Sequence, residues 1–245
     1  MIQTPPTAES GYRTLLWHWV RRPGWSVIAP ILLTAFAGVF AWQIFFSQSD
    51  LDKGLAALAA AHRSARPFEA RIAGFSHAPY SGTVQVDSHK FKLAESLLQP
   101  QLESEKTPAV VYARGKFLLT QQKFDEAIQQ FELARQNDPN NPQLCNDLGA
   151  AWLEKATAQR TAAEATQWFA QSRRHLEQAL QLDRNLSEAL FNLALLKSRL
   201  GLWDEAEEGW QAYLLHDARS GWAQEAKAYL NRIKTLKQPM KQSNV

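Results

Sequence analysis

The chain has 245 residues, 45% of them hydrophobic, a formal charge of +3 and a single cysteine. One thiol excludes an internal disulfide and a thiolate zinc site, and it lies at Cys145, away from the N-terminus where a lipid-acylated cysteine would sit. Arg13, Arg21 and Arg22 fall in the first 22 residues against Glu9 alone, leaving 24 basic and 23 acidic residues elsewhere. That balance excludes the basic face that nucleic acid requires.

In chain order, residues 1–24 form a basic leading segment. Residues 25–46, "WSVIAPILLTAFAGVFAWQIFF", follow without a charge. At 1.5 Å per residue the run spans roughly 33 Å, enough for a hydrocarbon core of about 30 Å. Trp25 and Trp42 stand near its ends, where amphipathic rings favour the interface. Pro30 lies near the start, where backbone donors are least committed. The run is too long and too free of charge for an ordinary core helix. A cleaved leader would use "VFA" at Val39 to Ala41, but it would expose "WQIFF" as an apolar new end and would have an unusually long basic region. A retained transmembrane anchor is therefore the reading. The arginines precede it and Asp50, Asp52 and Lys53 follow, so the positive-inside rule leaves the N-terminus in the cytoplasm and carries residues 47–245 across the membrane. In a Gram-negative bacterium this describes a single-pass inner-membrane protein with a periplasmic domain.

Residues 47–89 are a juxtamembrane region. A helix is expected over 51–66, then a loop over 67–88 marked by Gly74, Pro79, Ser81 and Gly82, with a short strand at 83–86. Helical patterning runs through 90–235, and the polar residues 236–245 read as a disordered tail.

The helical region repeats itself. Asp138, Asp183 and Asp217 each close an amphipathic run, and they are 45 and 34 residues apart. Thirty-four is the period of a known helix–turn–helix unit. The longer interval exceeds it by 11 residues, about three helical turns, which lengthens a hairpin while keeping its packing face in register. The first unit carries Val111, Gly115, Leu118, Ala127, Phe131, Ala134 and Pro139. The second carries Leu148, Gly149, Trp152, Leu176 and Ala179; the third, Leu190, Leu193, Ala194, Gly201, Ala206 and Trp210. Small residues let two antiparallel helices approach, and large ones such as Phe131 fill the space behind them. This pattern resembles the tetratricopeptide repeat (TPR). It departs from it at Arg114 (usually Leu), Arg184 (usually Pro) and Tyr213 (usually Ala). The resemblance implies an all-α chain: a transmembrane helix, then a solenoid of about three hairpins, which must stack to bury their apolar faces. A closing helix over 221–235 and a degenerate helix at 90–104 would cover its ends. More loosely, "RPFEARIAGFSHAPY", the long middle hairpin and "SGWAQEAKAYL" resemble the repeat region of bacterial proteins that often carry a caspase-like CHAT domain. No such domain is present, so that likeness imports no catalytic residue.

Signatures of reactive chemistry are scarce. The six histidines lack metal-binding spacing, and no phosphate loop or nucleophile elbow occurs. The chain is expected to be non-catalytic and without a cofactor or metal. Cys145 reads as a buried small hydrophobe, His77 as loop packing against the first hairpin, and the acidic run Asp204, Glu205, Glu207, Glu208 as a solvated face. The TPR resemblance implies a concave groove lined by the first helix of each hairpin: Tyr112, Lys116 and Leu119; Asn146, Ala150 and Leu153; Phe191, Leu195 and Arg199. Tyr112 and Phe191 are expected to anchor an apolar side chain, and Lys116, Asn146 and Arg199 to bind peptide backbone or a carboxylate. The family's carboxylate clamp needs Lys and Asn four apart where Tyr112 and Lys116 stand, so recognition of a C-terminal carboxylate is not implied. Two occupants compete: a protein or peptide partner, or the chain's own 67–88 loop or 51–66 helix. Partner identity, pathway and oligomeric state have no signature.

Overall fold

A computed structural model describes residues 49–82, 86–104, 106–158 and 162–242. The leading segment 1–24, the apolar run 25–46 and most of the expected 83–86 strand lie outside the described residues. The chain divides into units Met1–Ser49 and Asp50–Val245, and all the described helices belong to the second. Among the described residues, no helix is long and apolar enough to cross a membrane.

The described helices are α1 (Asp50–Ala61), α2 (Ser88–Ser104), α3 (Pro108–Thr120), α4 (Phe124–Asn137), α5 (Pro142–Thr157), α6 (Ala162–Leu182), α7 (Ser187–Arg199), α8 (Trp203–His216) and α9 (Gly221–Gln242). Helix α3 packs on α4, α5 on α6, α7 on α8, and α9 on α8. Local chemistry sets the boundaries. Thr107 Oγ1 accepts from the Val110 amide at 3.4 Å ahead of Pro108, and Asn141 Oδ1 accepts from the Leu144 amide at 3.0 Å ahead of Pro142. Each is an N-cap followed by a proline whose missing N–H costs the first turn nothing. The α7–α8 turn needs a left-handed residue, supplied by Gly201 at φ +69°; its counterpart between α3 and α4 is Gln122 at φ 58°. Gln122 adopts this disfavoured conformation with its side-chain amide donating to the Pro67 carbonyl at 2.9 Å.

The small-and-large alternation is seen directly inside the first hairpin. A Cβ added at Gly115 would overlap the Phe131 ring, and Ala127, Phe131 and Ala134 are at most 1% exposed. Gly115→Ala is predicted to lower stability by about 1–3 kcal/mol through overpacking; an unchanged urea-unfolding midpoint would show that the ring moves aside freely. The 11 extra residues lengthen the middle hairpin: α6 has 21 residues against 14 in α4 and in α8.

Two boundaries and one packing partner differ from expectation. The first helix ends at Ala61 rather than at 66, where His62 Nδ1 lies 2.9 Å from the Leu58 carbonyl oxygen and the chain turns away. Helix α2 does cover α3, but as the partner of α1: Leu58, Ala94, Leu98 and Leu102 pack with Val110, Ala113 and Phe117 in a separate apolar cluster. Helix α9 continues to Gln242, where a disordered tail was expected from 236. Its Lys237 pairs with Asp204 at 2.5 Å and Glu207 at 2.6 Å on α8, and this holds the late turns.

Between α1 and α2 the described residues 62–82 form a loop of bends and turns. The Arg66 amide donates to the Pro79 carbonyl at 2.9 Å and the Ser81 amide to the Arg66 carbonyl at 3.1 Å, so the stretch leaves and returns at one point. It is a compact loop of the Ω type, and it lies across the inner ends of the hairpins.

Candidate functional site: a backbone clamp on the inner helices

Helices α3, α5 and α7 present buried polar side chains to one irregular strand of chain, residues 67–73, which bends at Pro67, Glu69 and Ala70 and turns at Ala73. Glu154 Oε1 accepts from the amides of Glu69 at 2.8 Å and Ala70 at 2.6 Å. Asn192 Oδ1 accepts from the Arg71 amide at 2.7 Å, and its Nδ2 donates to the Arg71 carbonyl at 2.8 Å, which Asn146 Nδ2 also reaches at 3.2 Å. Asp147 Oδ1 accepts from the Ala73 amide at 2.9 Å, and Lys116 Nζ donates to the Ala73 carbonyl at 2.9 Å. Buried polar groups demand such partners. The clamp satisfies the side chains and the strand's main chain together.

Side chains of the strand are held separately. Phe68, Ala70 and Ile72 are buried at 0–1% exposure. Glu69 is paired with Arg199 and accepts from the Tyr229 hydroxyl. The Arg71 guanidinium donates to the Tyr213 hydroxyl at 2.8 Å, lies 3.5 Å from Glu188 and sits 5.3 Å from the centre of the Trp222 ring. Arg66 closes the loop: its guanidinium donates to the Phe68, Glu69 and Ala78 carbonyls, pairs with Glu225 at 2.5 Å and stacks 4.4 Å from the Trp222 ring.

The nine residues expected to line a groove fall in two groups. Lys116, Asn146 and Arg199 bind the strand, and Tyr112 supports it by donating to Asp147 Oδ2 at 2.7 Å. Leu119, Ala150, Leu153, Phe191 and Leu195 are buried core residues, 0–1% exposed. Phe191 lies within a shell of Trp210, Tyr213 and Trp222, at 4.9, 5.4 and 5.1 Å between ring centres. It offers no pocket to a foreign side chain, because the chain's own residues already surround it. His77 packs edge-on to Trp222 of α9 at 5.1 Å, not against the first hairpin, because the loop crosses to the far end of the stack. Cys145 is fully buried, and burial pushes its thiol up, away from thiolate reactivity. The acidic run on α8 is largely exposed, with Lys197 3.6 Å from Glu205.

Sequence reasoning missed Asp147, Glu154, Asn192, Glu188 and Tyr229. A signal existed for three of them. Asp147 and Asn192 stand 45 residues apart, at equivalent positions of α5 and α7, and with Glu154 they interrupt otherwise apolar helix faces. A polar residue on a face that must be buried calls for a partner.

Burial raises the Glu154 carboxyl from its ordinary 4.5 to about 7; the Ala70 and Glu69 amides and Arg199 oppose this, and the Glu69 carboxylate reinforces it. The folded chain thus holds this proton more tightly than the unfolded one. The stabilising contribution is complete below pH 4.5 and is lost as pH rises through about 7, a change of roughly 3 kcal/mol. His175, pushed down to about 4 by burial, acts in the opposite sense: its contribution is lost as pH falls through that value. The prediction therefore concerns a difference. Relative to Glu154→Gln, the wild-type chain loses roughly 3 kcal/mol between pH 4 and pH 8 in urea unfolding, and a flat difference would refute it.

Comparisons place the fold. The sequence matches no protein-family profile and no curated protein. Among solved structures, the TPR protein TTC0263 of Thermus thermophilus aligns with a TM-score of 0.53 at 14% identity, over 62% of this chain and 76% of that one. A monomeric mutant of IFIT1 with Gppp-AAAA aligns with a TM-score of 0.53 at 18% identity, over 62% of this chain and 36% of IFIT1, so this chain spans about a third of that protein. The described region is an all-α solenoid with the tetratricopeptide-repeat fold.

Proposed function

We propose that this protein is a non-catalytic scaffold, anchored in a membrane by residues 25–46, that displays its repeats on the non-cytoplasmic side and gathers a partner protein there. The observation that carries the scaffold reading is the inner face itself. It spends its buried polar groups on holding a peptide backbone, and among the described residues it aligns no nucleophile with a base. The anchor rests on the charge-free run, and the sidedness on Arg13, Arg21 and Arg22 preceding it. A tether raises local concentration, so modest contacts suffice for a scaffold at a membrane. Secretion or envelope assembly is the setting such a protein suits.

A second reading is favoured by the loop's occupation of the groove: a structural subunit of a larger membrane complex, held through its anchor and its outer repeat surface. Replacing residues 25–46 with an unrelated transmembrane helix separates the two, since a scaffold keeps its activity and a subunit loses assembly. Alkaline carbonate extraction tests the anchor, and a C-terminal reporter active only in the cytoplasm would reverse the sidedness.

A further inference from the structure

The clamp treats residues 67–73 as a ligand. Seven main-chain groups of that stretch are read by side chains of the repeat helices and of the α3–α4 turn, and the contacts span 43 to 121 residues of sequence. Main-chain reading supplies affinity for a peptide that takes the same bent path; side-chain sockets supply the choice. Two sockets of opposite charge lie two residues apart along the strand. One is Arg199 with Tyr229 and takes an acidic side chain. The other is Glu188, Asp217 and Tyr213 beneath the Trp222 ring and takes an arginine.

The acidic socket is also the one that opens outward. The Arg199 side chain is 37% exposed, and a cavity of about 250 Å³ lies beside it, lined by Glu69, Trp203, Tyr229 and Arg232 among others. An incoming carboxylate can reach this end while the resident strand is still seated. We propose that the groove is a recognition site for a segment of a partner protein that follows the same bent path and carries the pattern apolar–Glu–small–Arg–apolar, and that residues 67–73 are a resident competitor the partner displaces. This rests on the scaffold reading and names the class of partner.

The test uses the full chain in detergent and a fluorescent peptide of sequence Pro-Phe-Glu-Ala-Arg-Ile-Ala. The double variant Glu69→Ala with Arg71→Ala weakens the competitor by removing its two socketed side chains and leaves every residue of the repeat helices in place. It should bind the peptide at least tenfold more tightly than the wild-type chain, and a peptide with Glu and Arg exchanged should bind at least tenfold more weakly. Circular dichroism verifies that the variant folds. If it does not, a protease site inserted after Gly82 frees one end of the resident strand, and the nicked chain should take up the labelled peptide. Equal binding of both peptides, or no uptake by a folded variant or by the nicked chain, overturns the proposal. So does crosslinking of the variant to a second copy of the chain that the peptide fails to compete, since the occupant would then be another copy. These outcomes are independent of membrane extraction and anchor replacement. A chain that fails those assays yet exchanges the peptide refutes the anchor alone, and one that passes them yet ignores the peptide refutes only this inference.

Discussion

Replacing Asp147 with alanine should destabilise the repeat body by about 3–5 kcal/mol, because it strands a buried charge. Asp147 is 0% exposed. Its Oδ1 accepts from the Ala73 amide at 2.9 Å and from Asn146 Nδ2 at 3.0 Å. Its Oδ2 accepts from the Tyr112 hydroxyl at 2.7 Å and stands 3.6 Å from Lys116 Nζ. Burial pushes its carboxyl up and Lys116 pulls it back, as a mutually dependent pair requires. Alanine leaves the Tyr112 hydroxyl and the Ala73 amide in a dry site without an acceptor, and it leaves the Lys116 ammonium with the Ala73 carbonyl but no counter-charge. Such a loss is a large part of the 5–15 kcal/mol, roughly, that holds a domain together. Asp147→Asn keeps one acceptor and should lose less. Urea unfolding decides the matter, and a loss below about 1 kcal/mol for alanine would mean that water enters and serves these groups instead.

The second large effect is expected at Trp210. It is fully buried, stacks on Tyr229 of α9 with ring centres 4.9 Å apart and planes 5° apart, and meets Phe191 edge-on at 4.9 Å. Its indole N–H donates to Ser198 Oγ at 3.0 Å. Trp210→Ala removes this bulk where two hairpin helices and the closing helix meet, at a cost of about 3–5 kcal/mol. Tyr229 also donates to Glu69, so the loss should reach the resident strand: hydrogen exchange at the Glu69 and Ala70 amides should quicken along with that of α9. Trp210→Phe should restore most of the stability. If exchange quickened in α9 alone, the strand would be held by the clamp independently of the closing helix.

The hairpins were legible because their causes are local. Gly115, Ala127, Phe131 and Ala134 repeat at helical spacing, and the intervals of 45 and 34 residues locate both the ordinary unit and the lengthened one. The inner-face positions followed from the same register, which is why Lys116, Asn146 and Arg199 were anticipated on it. The resident strand was not legible as a bound strand. Residues 67–80 have no period of their own, and turn residues such as Gly74 and Pro79 mark them only as a loop. What seats them is a set of side-chain-to-main-chain bonds from α3, the α3–α4 turn, α5 and α7, and a backbone amide has the same appearance in every sequence.

The sequence alone settled the helical repeat, its phase and the small residues that let its helices touch, since those depend on neighbours within one or two turns. It also marked the charge-free run of residues 25–46, whose function stands as a proposal. The tertiary structure alone decided what fills the groove. The choice between a partner and the chain itself turns on whether Glu154, Asp147 and Asn192 find their acceptors and donors within the same molecule. They do so in a loop that lies tens of residues earlier in the chain.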